Sequence, residues 1–267
     1  MDEEPPTSSS NRQSTDPPEQ GAGEGDARIR PAYYAARSGF WRDWWTLIHP
    51  PYTAWILGYV VIGASLAPHV ELSRLLLSVL AFFLAVGLAA HALDELSGRP
   101  LRTQIPSVAL VAVAVLGLLG ALAVGIVGIT EIGWSLIPFM CVGPLIVVAY
   151  NLELFDGTFH NDLTFATAWG AFPMLTAYVG QTGDLAVAPV IAAIGAAALS
   201  FAQRSLSTPA RLIRRQATGA EGLLTFVDGR TVALHQEVLL APLERALRAT
   251  SWAVVLLAAS LAVARLS

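Results

Sequence analysis

An all-α, polytopic transmembrane helix bundle is the fold this sequence predicts, and three observations predict it. Hydrophobic residues make up 54% of the 267 positions, charged residues only 13%, and the mean hydropathy is +0.56, far too apolar for a soluble domain of this size. The apolar residues gather in about seven runs that read as transmembrane spans. The arginines gather on alternate connections between those runs, as the positive-inside rule requires of a multi-pass protein. All sixteen basic residues are arginine, which fits a GC-rich bacterial coding bias and carries no mechanistic weight. Cys141, the only cysteine, falls in an apolar run, so neither a disulfide framework nor a thiolate metal site is on offer.

Residues 1–26 are rich in Pro, Ser, Gly and Glu, with seven acidic residues against Arg12, and read as a disordered acidic tail. They lack the basic region and apolar core of a signal peptide, so the first apolar helix is expected to stay in the mature chain. Residues 27–46 read as an interfacial amphipathic segment. In it Phe40, Trp41, Trp44 and Trp45 interleave with Arg42 and Asp43, which suits rings at headgroup depth. The bundle occupies 47–267, with spans at about 47–66, 75–93, 108–129, 132–150, 163–179, 185–201 and 251–263. A cytoplasmic loop is expected at about 203–248. Within it, 222–241 reads as an amphipathic, partly interfacial stretch, because Asp228, Arg230, His235 and Glu237 interrupt its apolar character. Gly117, Gly120, Gly125 and Gly128 offer small faces for close helix packing.

Arginines stand before the first span (Arg28, Arg30, Arg37, Arg42), after the second (Arg99, Arg102) and after the sixth (Arg204, Arg211, Arg214, Arg215, Arg230), whereas the intervening connections hold only Arg74. That asymmetry predicts a cytoplasmic N-terminus and an outside C-terminus. It also puts the connections after spans two, four and six on one side, where the polar clusters lie, so they are expected to converge on one mouth.

The cluster with most chemical content is His91, Asp94 and Glu95 at the end of the second span. Ionisable groups at a membrane edge cost several kcal/mol unless a partner, metal or water offsets them, so such a cluster is a site by default. Positions i, i+3 and i+4 share a helix face, which suits a divalent cation between an imidazole and two carboxylates. These three are the catalytic candidates; a buried network that fixes helix packing is the plainer alternative. Arg99 is either a substrate contact or an intrahelical partner of Glu95. Glu153, Asp156 and His160, after the fourth span, would complete a ligand set for one or two metals with the first cluster. Mg²⁺ prefers oxygen ligands, so His91 suits Fe, Mn or Zn better. His49, beside Pro50 and Pro51, reads as a helix-start residue.

The run from Leu47 to Tyr52, ending in Ile62 to Ala67, resembles the first helix of UbiA-type prenyltransferases. Residues 169–183, from Trp169-Gly170-Ala171-Phe172-Pro173 to Gly183, are similar to the fifth helix of the quinone-biosynthesis members, notably the dihydroxynaphthoate branch. The resemblance covers about 49–215. It implies an all-helical bundle, usually of nine spans, that joins an isoprenoid diphosphate to an acceptor. It also implies two Asp-rich motifs that hold Mg²⁺ against the diphosphate. The first corresponds to residues 90–98, where only Asp94 is an aspartate, His91 replaces the leading residue and Glu95 stands beside it. The second is missing, since no Asp occurs between Asp184 and Asp228, and the basic signature after helix four gives way to Asn151, Glu153 and Asp156. Phosphate would then be bound through Arg204, Arg211, Arg214 and Arg215, because guanidinium forks match phosphate oxygens; the plainer alternative is that these arginines only satisfy the positive-inside rule. Tyr150 and Asn151 complete the expected substrate-binding set.

Three functions are therefore expected to compete. The first is a divergent enzyme of that superfamily, performing prenyl transfer or terpene cyclisation on an isoprenoid or other membrane lipid. The second is a non-catalytic lipid-binding or assembly protein on the same scaffold. The third is a metal-dependent membrane hydrolase or oxidoreductase. All three place the chain in a membrane, expected to be the bacterial inner membrane, and none calls for nucleic acid.

Overall fold

The computed structural model describes residues 30–36 and 39–267, so the acidic tail expected over 1–26 lies outside the described residues. Helices dominate, and the only strands among the described residues form one small hairpin. Helix α1 (Phe40–Leu47) turns Phe40, Trp41 and Trp45 outward, with Trp41 80% exposed, while Asp43, Thr46 and Leu47 face in. The chain bends by 42° at His49 into α2 (Pro50–Ser65), whose first turn tolerates Pro50 and Pro51 because N–H groups there have no helical acceptor. Next come α3 (Leu72–Leu96), α4 (Ser107–Ile132) and α5 (Trp134–Asn151). Helix α6, residues 162–182, is built of Asp162–Ala166, Thr167–Ala171 and Phe172–Thr182. Its N-terminus is capped by Asn161, whose side chain accepts from the Thr164 N–H at 2.8 Å. Helix α7 (Val187–Gln216), strands β1 (Gly222–Thr225) and β2 (Thr231–Leu234), and α8 (Gln236–Leu266) complete the chain.

Five helices, α3, α4, α5, α7 and α8, are long and apolar enough to cross a membrane, and the bent α1–α2 pair makes a sixth if counted as one span. The outer surface agrees. Along α4 only Leu110, Ala114 and Gly117 are buried, while Val108, Leu116, Leu119 and Ile126 face outward. An apolar exterior of this kind is stable only against hydrocarbon. The chain is therefore an all-α integral membrane bundle.

With no hydrophobic gain to be had between helices inside lipid, close packing holds the bundle together, and small residues make it possible. Helix α2 runs through the interior against α6 and α8. A Cβ on Gly63 would sit 2.2 Å from the Met174 carbonyl oxygen, and one on Gly170 would sit 2.6 Å from that of Ala196, so α2–α6 and α6–α7 cross backbone to backbone. The expected small face of α4 is present: Gly117 and Gly120 meet Leu84, Gly125 meets Met140 and Gly128 meets Leu136.

The structure corrects the expected loop over 203–248. Helix α7 continues to Gln216 and α8 starts at Gln236, leaving only a hairpin between them. The polar residues of 203–215 hide the helix from a hydropathy reading, yet Ser200, Gln203, Arg204 and Ser207 recur at helical spacing and are buried on one face. The stretch over 222–241 is likewise not an interfacial helix. Strands β1 and β2 pair antiparallel with Gly222 opposite Leu234, and Asp228-Gly229 makes the turn, with Gly229 at φ 81°. Asp-Gly between two β-prone runs is a hairpin signal, because glycine adopts positive φ without steric cost.

Candidate functional site

The ends of α3, α5 and α7 meet at one end of the bundle, as the pattern of polar connections anticipates, and enclose with α2 a polar chamber of about 460 Å³. On the α3 wall, His91 and Asp94 lie one turn apart and both line the chamber. Nδ1 of His91 is 3.2 Å from the Gly87 carbonyl oxygen, which can only accept. The proton therefore sits on Nδ1, and the Nε2 lone pair remains for a ligand. His49 stacks on this ring at 4.2 Å between centroids, and Tyr34 and Tyr52 close around His49. The Asp94 carboxylate has no hydrogen-bond or ion-pair partner among the described residues.

Glu95 is a correction. It is completely buried and turned out of the chamber, where its carboxylate accepts from the Leu101 N–H at 2.9 Å, the Thr103 N–H at 2.9 Å and the Thr103 hydroxyl at 2.8 Å. The helix ends just past Glu95, and the returning chain brings backbone donors that satisfy the carboxylate more fully than a shared ion would. Arg99 belongs to the same loop, at φ 54°, donating to the Ile105 carbonyl at 2.6 Å and the Ser107 hydroxyl at 2.7 Å. It neither lines the chamber nor pairs its side chain with Glu95. Asp43 on α1 fastens the loop from outside by accepting from the Gln104 N–H at 2.8 Å.

On the α5 wall, Tyr150, Asn151, Glu153 and His160 all line the chamber. Asn151 spends its amide on the Val147 carbonyl at 2.7 Å. His160 stacks on Tyr150 at 4.5 Å, with Nδ1 3.8 Å from Glu153. Asp156 is exposed in the following turn, at φ 55°, and does not reach the chamber. Glu95 and Asp156 thus drop out of the expected ligand set of His91, Asp94, Glu95, Glu153, Asp156 and His160. Among the described residues no three His, Cys, Asp or Glu side chains gather as metal ligands do. The donors present do not fit a divalent metal held by the protein alone.

The α7 wall carries the positive charge. Arg204, Arg211 and Arg215 all line the chamber. Arg204 is already committed: it donates to Asp162 and to the Tyr150 hydroxyl, both at 2.5 Å, and lies over the Phe165 ring. Among the described residues Arg211 makes only a long contact with the Thr208 hydroxyl at 3.5 Å, and the Arg215 side chain donates one bond, at 3.3 Å, to the Pro31 carbonyl. Arg214 points away, into an ion pair with buried Glu244 on α8. Among the described residues, two guanidinium groups with donors to spare thus face Asp94 and His91 across the chamber.

The inner end is apolar and aromatic, formed by Trp55, Ile56, Val86 and Trp169. Val86 and Trp169 also border an apolar groove of about 130 Å³ that runs over α3, α4, α5 and α6 toward the other end of the bundle. The sequence hides this aromatic floor and the part played by His49, since an isolated Trp or His in an apolar run reads as packing. The pairing of His49 with Pro50-Pro51 at a helix break is the one local signal. The chain matches no protein-family model, no curated protein and no solved structure.

Proposed function

We propose that this chain is a divergent UbiA-type membrane protein of seven spans, with α6 and the α1–α2 pair among them, and that it binds an isoprenoid diphosphate at the cytoplasmic face of a bacterial inner membrane. The observation that carries the reading is the pair Arg211 and Arg215, facing a chamber whose inner end is apolar and aromatic. Guanidinium forks bind phosphate oxygens bidentately, so these two supply the charge that the missing second acidic motif would have recruited as metal.

The reaction this supports is prenyl transfer. The allylic carbon–oxygen bond breaks, diphosphate leaves with the electron pair onto Arg211 and Arg215, and the allylic cation forms beside Trp55 and Trp169. An acceptor then bonds to that carbon and releases a proton, which Nε2 of His91 is placed to take. Non-catalytic lipid binding is the second reading, favoured by the commitment of Glu95 and Arg204 to structural bonds.

The test is titration of the detergent-purified protein with inorganic diphosphate and with farnesyl diphosphate, in EDTA. Binding by the wild type, weakened at least about tenfold in Arg211→Gln with Arg215→Gln, is expected. Binding that needs added Mg²⁺, Mn²⁺, Fe²⁺ or Zn²⁺ and ignores the arginines would overturn it. Binding without prenylated product, across a panel of aromatic acceptors, would leave the second reading standing.

A further inference from the structure

We infer that residues 30–36 form a strap over the end of the bundle that an anion in the chamber holds down, with the Tyr34 hydroxyl as a third donor to that anion beside Arg211 and Arg215. The inference rests on the reading that these two arginines take a diphosphate head. Residues 30–36 lie outside every helix and cross from α7 to α1. The Arg30 carbonyl accepts from Nη1 of Arg214 at 3.4 Å and the Pro31 carbonyl from Nε of Arg215 at 3.3 Å, while the Ala36 N–H donates to the Thr46 hydroxyl at 3.1 Å. Ala32 and Ala35 are buried, so the strap lies flat, and the Ala35 N–H closes a turn on the Ala32 carbonyl at 3.1 Å. Tyr33 turns toward α8, where the Arg248 guanidinium stands 5.0 Å from its ring centre. Tyr34 turns toward the start of α2, with its ring 5.4 Å from that of His49 and 5.6 Å from that of Tyr52.

His49, Tyr52 and Arg215 all line the chamber, so the strap rests on the chamber's own edge. Burial, and then the neighbouring Tyr52, hold the Tyr34 phenol well above its ordinary pKa, so the hydroxyl keeps its proton and can donate. The charged groups that act on it are Arg215, Arg211 and Asp94, the same three that face one another across the chamber. Among the described residues no protein group bonds to this hydroxyl. Arg215 spends Nε on the strap and keeps both Nη groups, so one guanidinium can hold the Pro31 carbonyl and a phosphate oxygen together. Closure of the strap and binding of the anion therefore reinforce one another instead of competing. By reciprocity, an anion that favours the closed strap is held more tightly because of it. The strap by itself is lightly tied, since both bonds to α7 are long, and segments with few such contacts open first.

The experiment follows hydrogen exchange over residues 30–36 of the full-length protein in detergent and EDTA, with and without saturating inorganic diphosphate, beside calorimetric titration of the same ligand. Exchange of the Ala35 and Ala36 amides, both hydrogen-bonded in the closed strap, is expected to slow at least about fivefold when diphosphate binds. Tyr34→Phe keeps the ring against His49 and Tyr52 and removes only the donor. It should weaken diphosphate binding about tenfold while the melting temperature and the ligand-free exchange stay at wild-type values. Tyr34→Ala removes the ring as well and should speed the ligand-free exchange. If the wild type binds diphosphate and its strap exchanges no more slowly, the strap plays no part and the inference falls while the head-group reading stands. Wild-type affinity in Tyr34→Phe overturns the role of the hydroxyl. Should Tyr34→Phe fold poorly, exchange in the wild type alone decides. If the wild type binds no inorganic diphosphate, the head-group reading fails first and takes this inference with it.

Discussion

Asp94 and Glu95 are neighbours in sequence with opposite surroundings: Asp94 faces the polar chamber without a partner among the described residues, and Glu95 is sealed behind it under three hydrogen bonds from the loop over 97–106. One hundred degrees of helical rotation separates a group free to meet a ligand from a group that builds the wall.

That contrast predicts a split in mutational behaviour. Glu95→Ala leaves the Leu101 and Thr103 N–H groups buried without acceptors and should cost about 3 kcal/mol or more. Asp94→Asn breaks no bond of the fold and should shift stability by less than about 1 kcal/mol. Thermal unfolding of both variants in detergent checks it. Equal losses would mean that Asp94 is held as firmly as Glu95.

The stacked rings of His49 and His91 allow the proposed base role of His91 to be separated from its packing. His91→Phe keeps a ring against His49 and should hold the melting temperature near wild type while abolishing product formation. His91→Ala removes both and should cost about 1–2 kcal/mol in addition. Calorimetry beside single-turnover assays distinguishes them, and a fully active His91→Phe protein would remove His91 from the chemistry.

Helix crossing distances predict a third contrast. Gly63→Ala puts a methyl group 2.2 Å from the Met174 carbonyl and must drive α2 and α6 apart, at about 3 kcal/mol. Gly195→Ala, on α7, meets nothing within 4 Å and should be neutral or stabilising by about 0.5–1 kcal/mol. Chemical unfolding in mixed micelles compares the two directly.

The Arg214–Glu244 pair ties α7 to α8 beside the hairpin, and Glu244 is buried. Removing Arg214 leaves Glu244, among the described residues, only its longer pair with Arg248 at 3.7 Å, so Arg214→Gln should destabilise, by less than the ~3–5 kcal/mol of a fully stranded buried charge, whereas Arg214→Met with Glu244→Leu should recover part of that. A double-mutant cycle read by thermal melts tests it. Additive losses would show that the pair is not coupled.

Much of this architecture was legible in the chain itself. Apolar runs and arginine placement specify a helical membrane bundle, because transfer into hydrocarbon depends on each segment's own composition. The convergence of the ends of α3, α5 and α7 follows from counting alternate connections. The hairpin at Asp228-Gly229 was readable from turn chemistry but was outweighed by the apolar residues around it. What composition could not show is which way a side chain turns once neighbours arrive. Glu95 is drawn to loop backbone donors eight residues on in sequence, Arg204 is taken up by Asp162 forty-two residues away, and Arg211 and Arg215 face the chamber only because α7 continues as a helix through its polar stretch. The floor of Trp55 and Trp169, and the groove beyond it, exist only where α2, α3 and α6 pack together. Local sequence carries the cost of leaving water; the partner that offsets each buried charge comes from a distant segment, so only the tertiary structure decides it.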